Sequence, residues 1–356
     1  MRTESIRRVL ADGGPGFCQI AVTNACNAAC GFCSFAGLPR SQWVVPETAE
    51  VARAIDALGG RGVGYVVFVG GEPLMHPGIF DLIAHTRSRG MAALICTNGS
   101  LLKEETIKRL HRAGLNGVII SIDAPSEEAH EANRGFSGLC GRIREANRLL
   151  RHLGYNPTAS VTLSRLVQDL ESLPPFLRGL GFGKATFSYP LNYLGSSYLS
   201  FSSSALIDFS RAELIDVFQS LIRLKRSFPV LNPRASLEDM VRFLRGEKGR
   251  FPCLAGYKYF FIDWHLDLYR CHYVKKPMCK ARDFGEAEFI RDDCTACMID
   301  CYRDPSVLQF GAVALADSLR FLRQGRLGAA ARRLFDSRTL ESFRSVFEER
   351  KWISEM

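Results

Sequence analysis

This chain of 356 residues lacks a long apolar run, a signal sequence and a block of charge of one sign. No window reaches the roughly 18 uninterrupted apolar residues of a membrane-spanning helix, and residues 1–16 lack a signal peptide's apolar core. The formal net charge is +9, but Lys and Arg are spread over several predicted helices, so nucleic-acid binding is not indicated. We therefore expect a cytoplasmic protein.

The composition is otherwise that of a globular protein, with 47% hydrophobic and 23% charged residues. Its unusual component is the 12 cysteines. Because the reducing cytosol does not sustain structural disulfides, so many thiols without an export signal indicate metal binding or redox chemistry.

Apolar strands alternate with amphipathic helices over about 190 residues, which predicts a parallel sheet covered by helices. Six such units suit an incomplete TIM-like α/β fold, that is, a partial (β/α)6 barrel. No Gly-rich dinucleotide fingerprint follows the first strand, which weighs against a Rossmann fold. The predicted strands are residues 17–23, 65–69, 92–96, 117–122, 158–163 and 184–189.

In such barrels the chemistry lies at the C-terminal ends of the strands. There the sequence places Gly70-Gly71-Glu72-Pro73, Thr97-Asn98-Gly99, and Ser121 with Asp123. Glycines admit a ligand close to the backbone, and a carboxylate such as Glu72 can accept hydrogen bonds from a ligand ammonium. Each motif alone could be a turn or a helix cap. Their occurrence on consecutive strand ends predicts a binding site.

Cys26, Cys30 and Cys33 follow the first predicted strand with the spacing C-x3-C-x2-C. Such a run can bind three irons of a cubane cluster and leave the fourth iron open to an exogenous ligand. The alternative is a structural zinc site, which needs a fourth ligand, and no His or Cys follows before His76. The spacing therefore favours an iron-sulfur cluster.

With Phe32 between the last two cysteines, this motif resembles the signature of the radical S-adenosylmethionine (SAM) superfamily. Members of that family bind a 4Fe-4S cluster through three cysteines, and the open iron chelates the methionyl amine and carboxylate of SAM. The resemblance implies that Cys26, Cys30 and Cys33 are the catalytic cluster ligands.

The same resemblance implies roles for the strand-end residues. Glu72 would bind the methionyl amine, and the guanidinium fork of Arg134 would pair with the methionyl carboxylate. The later strand ends would contact ribose and methionine, with the choice between Ser121 and Asp123 for the ribose left open. The cofactor-binding candidates are Phe32, Gly70, Gly71, Glu72, Pro73, Thr97, Asn98, Ser121, Asp123 and Arg134.

A second cysteine set lies between Cys253 and Cys301, around a predicted hairpin of residues 259–264 and 266–270. It resembles the SPASM/twitch domains of the same superfamily, which bind auxiliary clusters; a four-thiolate zinc site is the alternative. The resemblance implies one auxiliary 4Fe-4S cluster. Its first-choice ligands are Cys253, Cys271, Cys294 and Cys297, with Cys301 as a rival for one corner and Cys279 as a spare or second rival.

The predicted organisation has four parts. They are an N-terminal extension (1–16), the partial barrel (17–230), a small cysteine-rich α+β auxiliary-cluster domain (231–306) and basic amphipathic C-terminal helices (307–356). The last part combines apolar side chains with arginines. We expect it to dock on the protein's own core, or to contact the inner face of a membrane.

The resemblance implies an enzyme that reductively cleaves SAM to a 5′-deoxyadenosyl radical, which abstracts hydrogen from a substrate. A flavodoxin- or ferredoxin-type donor would supply electrons. About sixteen residues precede the first strand, too few for a leader-peptide domain, so we expect a small-molecule, sugar or lipid-like substrate. The alternatives are a peptide-modifying (RiPP) maturase and a non-catalytic iron-sulfur electron carrier or redox sensor.

Other residues have weaker predicted roles. Cys18, Cys96 and Cys140 are expected to be packing residues. The candidate substrate contacts, at and after the end of the sixth strand, are Ser188, Tyr189, Asn192 and Tyr193. Tyr198 belongs with Phe187, Tyr189 and Tyr193 to an aromatic cluster predicted near the barrel mouth.

Overall fold

The computed structural model describes residues 3–189 and 204–353. Strands and helices alternate through the first of these segments, as the sequence predicts. Its elements are α1 (Thr3–Asp12), β1 (Gly16–Ala21), α2 (Thr48–Gly59), β2 (Val63–Val69), α3 (Ile79–Ser88), β3 (Ala92–Thr97), α4 (Glu104–Arg112), β4 (Gly117–Ile122), α5 (Glu127–Arg134), α6 (Leu139–His152), β5 (Thr158–Thr162), α7 (Leu173–Gly179) and β6 (Ala185–Ser188).

Strands β1 to β6 lie side by side in sequence order, and every neighbouring pair is parallel. The strands are rich in β-branched residues, and their buried apolar side chains pack against the helices in one large core. This arrangement confirms the predicted α/β fold with an incomplete barrel.

The second described segment begins with helices, continues with three short strands and ends with helices. Its elements are α8 (Arg211–Leu224), α9 (Arg234–Leu244), β7 (Tyr259–Ile262), β8 (Asp267–Tyr269), β9 (Cys279–Lys280), α10 (Asp300–Arg323), α11 (Leu327–Leu334) and α12 (Ser337–Ile353). Within the described residues, no helix is both long enough and apolar enough to cross a membrane.

The cysteine-rich region continues the sheet of the barrel. Strand β7 pairs in parallel with β1, from Phe17 opposite Tyr259 to Ile20 opposite Ile262. The predicted hairpin is confirmed, because β8 pairs with β7 in the antiparallel direction, and β9 extends the sheet to nine strands. All four residues of β7 are buried, so both faces of this strand are covered.

The predicted domain boundaries do not coincide with breaks in the structure. The hydrogen bonds between β1 and β7 join residues on either side of the boundary at 230, and helix α10 runs through the boundary at 306. The four-part division remains a prediction about folding units.

Helix α5 was not predicted, because it contains little apolar periodicity. Its cap is clear in retrospect: the Ser126 side chain accepts a hydrogen bond from the Ala129 N–H, and Gly135 ends the helix with φ of 73°. The helix buries His130 and Arg134, both polar. It therefore delivers Arg134 to the interior from its last turn.

We predict that Gly16→Ala destabilises the joined sheet. A Cβ atom at Gly16 would overlap the carbonyl oxygen of Lys258, where β1 meets the chain entering β7. The expected cost is about 1–3 kcal/mol, typical of overpacking, measured as a lower thermal unfolding midpoint. Gly37→Ala is the control, because a methyl group at Gly37 would meet nothing within 4 Å. Equal midpoints for both variants would contradict the junction described above.

Candidate functional site

The C-terminal ends of the strands surround a cavity of about 330 Å³. The cysteine loop after β1 contributes Cys26, Cys30, Phe32 and Cys33 to its wall. The other predicted site residues on the wall are Gly70, Gly71, Thr97, Asn98, Ser121 and Arg134. The structure therefore brings together residues that are more than 100 positions apart in the chain.

Gly70 and Gly71 allow the chain after β2 to lie directly on the chain that enters the cysteine loop. A Cβ on Gly70 would overlap the carbonyl oxygen of Thr23, and one on Gly71 would overlap that of Ala25. Two backbone hydrogen bonds join the segments: Gly71 N–H donates to Thr23 O and Glu72 N–H to Ala25 O, each at 2.8 Å. The two glycines are thus required by backbone packing as well as by any ligand.

Glu72 is fully buried and is not on the cavity wall. Its carboxylate accepts hydrogen bonds from the Thr97 hydroxyl at 2.8 Å, the Asn98 N–H at 2.7 Å and the Leu74 N–H at 3.1 Å. Burial raises the pKa of Glu72, and these donors counteract that rise. In this arrangement Glu72 ties the β2 end to the β3 end, while its predicted contact with a ligand amine remains a prediction.

A second set of hydrogen bonds connects the cysteine loop to the turn after β3. The Asn98 amide donates to Asn27 Oδ1 at 2.9 Å, and the Asn27 amide donates to the Ser100 hydroxyl at 2.9 Å. Asn27 lies directly after Cys26. The position of the first thiol is therefore coupled to the end of β3.

Arg134 and Asp123 form a buried, two-pronged ion pair, with Nε–Oδ2 at 2.5 Å and a terminal guanidinium nitrogen at 2.6 Å from Oδ1. Although burial alone would lower the pKa of Arg134, the Asp123 carboxylate raises it. The Arg134 carbonyl accepts from Ala29 N–H at 3.0 Å, and the Asn133 side chain accepts from Gly31 N–H at 3.1 Å. The end of α5 thus holds the middle of the cysteine loop.

Burial raises the pKa of all three loop thiols, that of Cys30 to about 12. Arg134 is the largest opposing influence at Cys30, since its positive charge favours the thiolate. A metal or cluster would supply the remaining positive charge needed to hold three thiolates here.

The spacing of the sulfur atoms bears on the choice between zinc and a cluster. Tetrahedral zinc holds its thiolates about 3.8 Å apart, given Zn–S bonds of about 2.3 Å. Across residues 3–189 and 204–353, no three cysteine sulfurs lie within 4.8 Å of one another. The thiol donors fit a group with several irons better than they fit one zinc ion.

The second cysteine set gathers at one place, with one exception. Burial raises the pKa of Cys297 to about 12, and Cys253, Cys271 and Cys294 add to that rise as charged neighbours. Cys253 and Cys294 are also joined by a backbone hydrogen bond of 2.8 Å. The exception is Cys279. Burial is the main cause of its raised pKa, and the charged groups that affect this pKa next are Asp283, Arg61 and Asp267.

Cys301 lies between this group and the cavity. It is on the cavity wall in the first turn of α10, and its Sγ is 3.9 Å from His272 Nδ1. Its pKa is raised well above the usual value by burial first and by Asp300 and Cys297 next. The structure therefore brings one cysteine of the second set, Cys301, to the cavity that the three-thiol loop lines.

Several wall residues had not been singled out from the sequence: Gln19, Ser160, Thr162, His272 and Asp300. Ser160 and Thr162 alternate with buried Ala159 and Val161 on β5, a period of two that could have revealed them. Asp300 had no such signal. It accepts from the Ser188 hydroxyl at 3.1 Å, and burial raises its pKa to about 7.

Ser188 and Tyr189 line the cavity, as expected of substrate contacts, whereas Asn192, Tyr193 and Tyr198 lie outside the described residues. Of the three cysteines predicted to be packing residues, Cys18 and Cys140 are buried in the core. Cys96 differs, because it is on the cavity wall at the end of β3. Its pKa is raised to about 11 by burial.

Fold and site together define an open α/β barrel protein with a three-thiol loop at its strand ends. Residues 20–173 match the model of the radical SAM superfamily. This part of the chain carries a radical SAM domain.

Two curated relatives match part of the chain. The AdoMet-dependent heme synthase of Nitratidesulfovibrio vulgaris is 31% identical over 160 residues, which is 44% of each chain. The PqqA peptide cyclase of Granulibacter bethesdensis is 30% identical over 156 residues, 44% of this chain and 41% of that one. This chain thus spans less than half the length of either relative.

Two solved structures share the fold more extensively. One is anSMEcpe with bound AdoMet and Cp18Cys peptide, with a TM-score of 0.59 at 14% identity, covering 92% of this chain and 100% of that one. The other is Streptococcus suis SuiB bound to precursor peptide SuiA, with a TM-score of 0.55 at 15% identity, covering 83% and 66%. At these identities the likeness shows the fold alone.

We predict that Asp123→Asn destabilises the protein by about 3–5 kcal/mol, because it leaves the buried Arg134 guanidinium without its charged partner. The free energy of unfolding in urea measures this change. The matched control is Glu105→Gln, which removes an exposed partner of Arg112 and should cost less than about 1 kcal/mol. A similar small loss for both variants would mean that the buried pair does not hold the site together.

Proposed function

We propose that this protein is a radical SAM enzyme that modifies a peptide substrate. When bound at Cys26, Cys30 and Cys33, a reduced 4Fe-4S cluster supplies the electron that cleaves SAM to the 5′-deoxyadenosyl radical, which abstracts hydrogen. The observation that carries the proposal is one cavity whose wall includes the three loop thiols, residues of the strand-end motifs and Cys301.

The residues of this chain would position SAM and keep water from the reacting atoms. Gly70 and Gly71 expose backbone on the cavity wall, beside Thr97 and Asn98. Arg134 would lend its positive charge to a ligand carboxylate while Asp123 holds its guanidinium plane. Phe32 and Ser121 complete this side of the wall, and Pro73 begins the short helical turn that follows Glu72.

The auxiliary cluster belongs to this proposal as well. Cys253, Cys271, Cys294 and Cys297 are its proposed ligands, since they influence one another's charge and form one group. A cluster bound by four protein thiolates would conduct electrons, and a flavodoxin- or ferredoxin-type donor would supply them. Cys301 would then remain a thiol on the cavity wall.

The sequence led us to expect a small-molecule, sugar or lipid-like substrate, and the comparisons favour the peptide alternative instead. Both solved neighbours are complexes with a bound peptide, and one curated relative is a peptide cyclase.

A small-molecule substrate is the second candidate. The observation in its favour is the 31% identity to a heme synthase over 160 residues. A non-catalytic iron-sulfur carrier would leave the strand-end motifs of the cavity without a role.

We predict two clusters, with about eight irons per chain after anaerobic reconstitution. Changing Cys26, Cys30 and Cys33 together to Ala should leave about half of the iron and abolish 5′-deoxyadenosine formation. Iron analysis and chromatography of the reaction products measure these outcomes. Cys279→Ala is the control and should keep all the iron, because Cys279 lies apart from the other thiols. Stoichiometric zinc in place of iron would end the proposal, and full iron without SAM cleavage would favour an electron carrier.

We further predict that the hydrogen comes from a peptide. The reconstituted protein is mixed with SAM, dithionite and extract of source cells grown in deuterated medium, and deuterium in 5′-deoxyadenosine is measured by mass spectrometry. Deuterium transfer should disappear when the extract is treated with protease and survive removal of small metabolites by dialysis. The opposite pattern, protease-resistant and lost on dialysis, would establish the small-molecule candidate. The triple cysteine variant gives the background.

A further inference from the structure

Helix α12 is oriented with its polar side inward. Its buried residues include Thr339, Ser342, Ser345 and Glu349, none more than 4% exposed. Ser342 accepts from Gly311 N–H at 2.8 Å and donates to Leu308 O at 3.2 Å, both on α10. Glu349 pairs with Lys225 at 2.6 Å. Hydrogen bonds and an ion pair therefore fasten this helix to the protein.

The outward side of α12 is apolar. Leu340 and Phe347 are 59% and 61% exposed, and Phe343 lies on the same side at 42%. The spacing of three, four and seven residues places these three side chains on one stripe of the helix. Val346, which is 37% exposed, lies at the edge of this stripe. Leaving such side chains in water while polar ones are buried opposes the hydrophobic effect, so the arrangement indicates an external contact.

Two more exposed apolar side chains lie on α11 and on the turn before α12. Leu327 at the start of α11 is 69% exposed, and Phe335 just after its end is 74% exposed. We call these six side chains the tail face: Leu327, Phe335, Leu340, Phe343, Val346 and Phe347. Of the twelve large hydrophobic side chains that are exposed among the described residues, six belong to it.

The charge around the tail face is positive. Residues 320–350 contain eight arginines and four carboxylates. Three of the carboxylates already have partners: Asp336 with Arg338, Glu341 with Arg250, and Glu349 with Lys225. Glu348 is the exposed exception.

Basic groups also lie directly beside the apolar side chains. Arg344 and Arg350 are exposed on α12, and the Arg350 guanidinium carbon is 3.8 Å from the centre of the Phe347 ring. Long arginine side chains can cover apolar surface while keeping their charge at a polar boundary.

We infer that the tail face docks on the surface of an anionic lipid bilayer. Interfacial helices bind in this way, with an apolar stripe among acyl chains and flanking basic side chains at the headgroups. A bilayer surface accepts the exposed stripe of a helix without a preformed groove. A second copy of this chain fits less well, because a two-fold contact through the same face would bring arginines of both copies together. The inference is independent of the proposed enzymatic function.

Flotation of the full-length protein tests the inference, with vesicles of phosphatidylcholine alone and of phosphatidylcholine mixed with phosphatidylglycerol. We expect binding to the anionic vesicles that weakens as salt is raised, and little binding to the neutral ones. The double variant L340S/F347S should lower binding at least about tenfold, because it removes the two most exposed side chains of α12 from the apolar contact. The variant R344Q/R350Q should lose most of the salt-sensitive part.

The control variants change exposed residues elsewhere. V45S/Y65S removes two apolar side chains that are 43% and 46% exposed, and R148Q/R211Q removes two exposed arginines. Both should bind like the original chain, and circular dichroism and the thermal midpoint check the fold of each variant. Failure of the original chain to float with anionic vesicles overturns the inference, whatever the variants do. So does unchanged flotation of L340S/F347S. Dimerisation or capture of a peptide that depends on the tail face, without vesicle binding, would assign the face to a protein partner and also overturn it.

Discussion

The buried ion pair between Asp123 and Arg134 is the interaction on which the rest of the site depends. Two charges are removed from water, so each requires the other, and together they fix the last turn of α5 against the end of β4. That turn holds Ala29 and Gly31 by hydrogen bonds. The cysteine loop has no regular structure through these residues, so it takes its shape from the helix beside it.

A second constraint is close backbone contact on the opposite side of the loop. Gly70 and Gly71 lie on the chain at Thr23 and Ala25, and Glu72 joins that layer to the end of β3. The loop is therefore held from β2, β3 and α5 together. Such preorganisation matters for radical chemistry, because a reactive species must meet its substrate before it meets solvent or protein.

The continuity of the sheet from β1 into β7 brings the second cysteine-rich region beside the cavity, where Cys301 joins the three loop thiols on the wall. The three-thiol loop leaves β1 at the edge where β7 adds, and Cys271 and His272 soon follow β8. Helix α10 then brings Asp300 and Cys301 to the wall. Separating the region after residue 230 as an independent unit would open this wall, so the two regions act as one site.

The sequence alone determined the elements whose signals are local. Apolar strands, amphipathic helices and the residues at the strand ends follow from periodicity of two or 3.6 residues and from glycine at tight approaches. The C-x3-C-x2-C run was equally visible, because its ligands lie within eight residues. Helix α5 was missed because it has few apolar residues, and the sequence signal of a helix depends on their periodicity.

Only the tertiary structure decided which distant residues meet. The addition of β7 to β1, the position of Asp300 on the cavity wall and the separation of Cys279 from the other thiols depend on contacts between residues far apart in the chain. The same holds for α12, where the sequence shows an amphipathic helix but not which side faces the protein. Ordinarily the apolar side is buried; here hydrogen bonds to α10 and the ion pair with Lys225 hold the polar side inward.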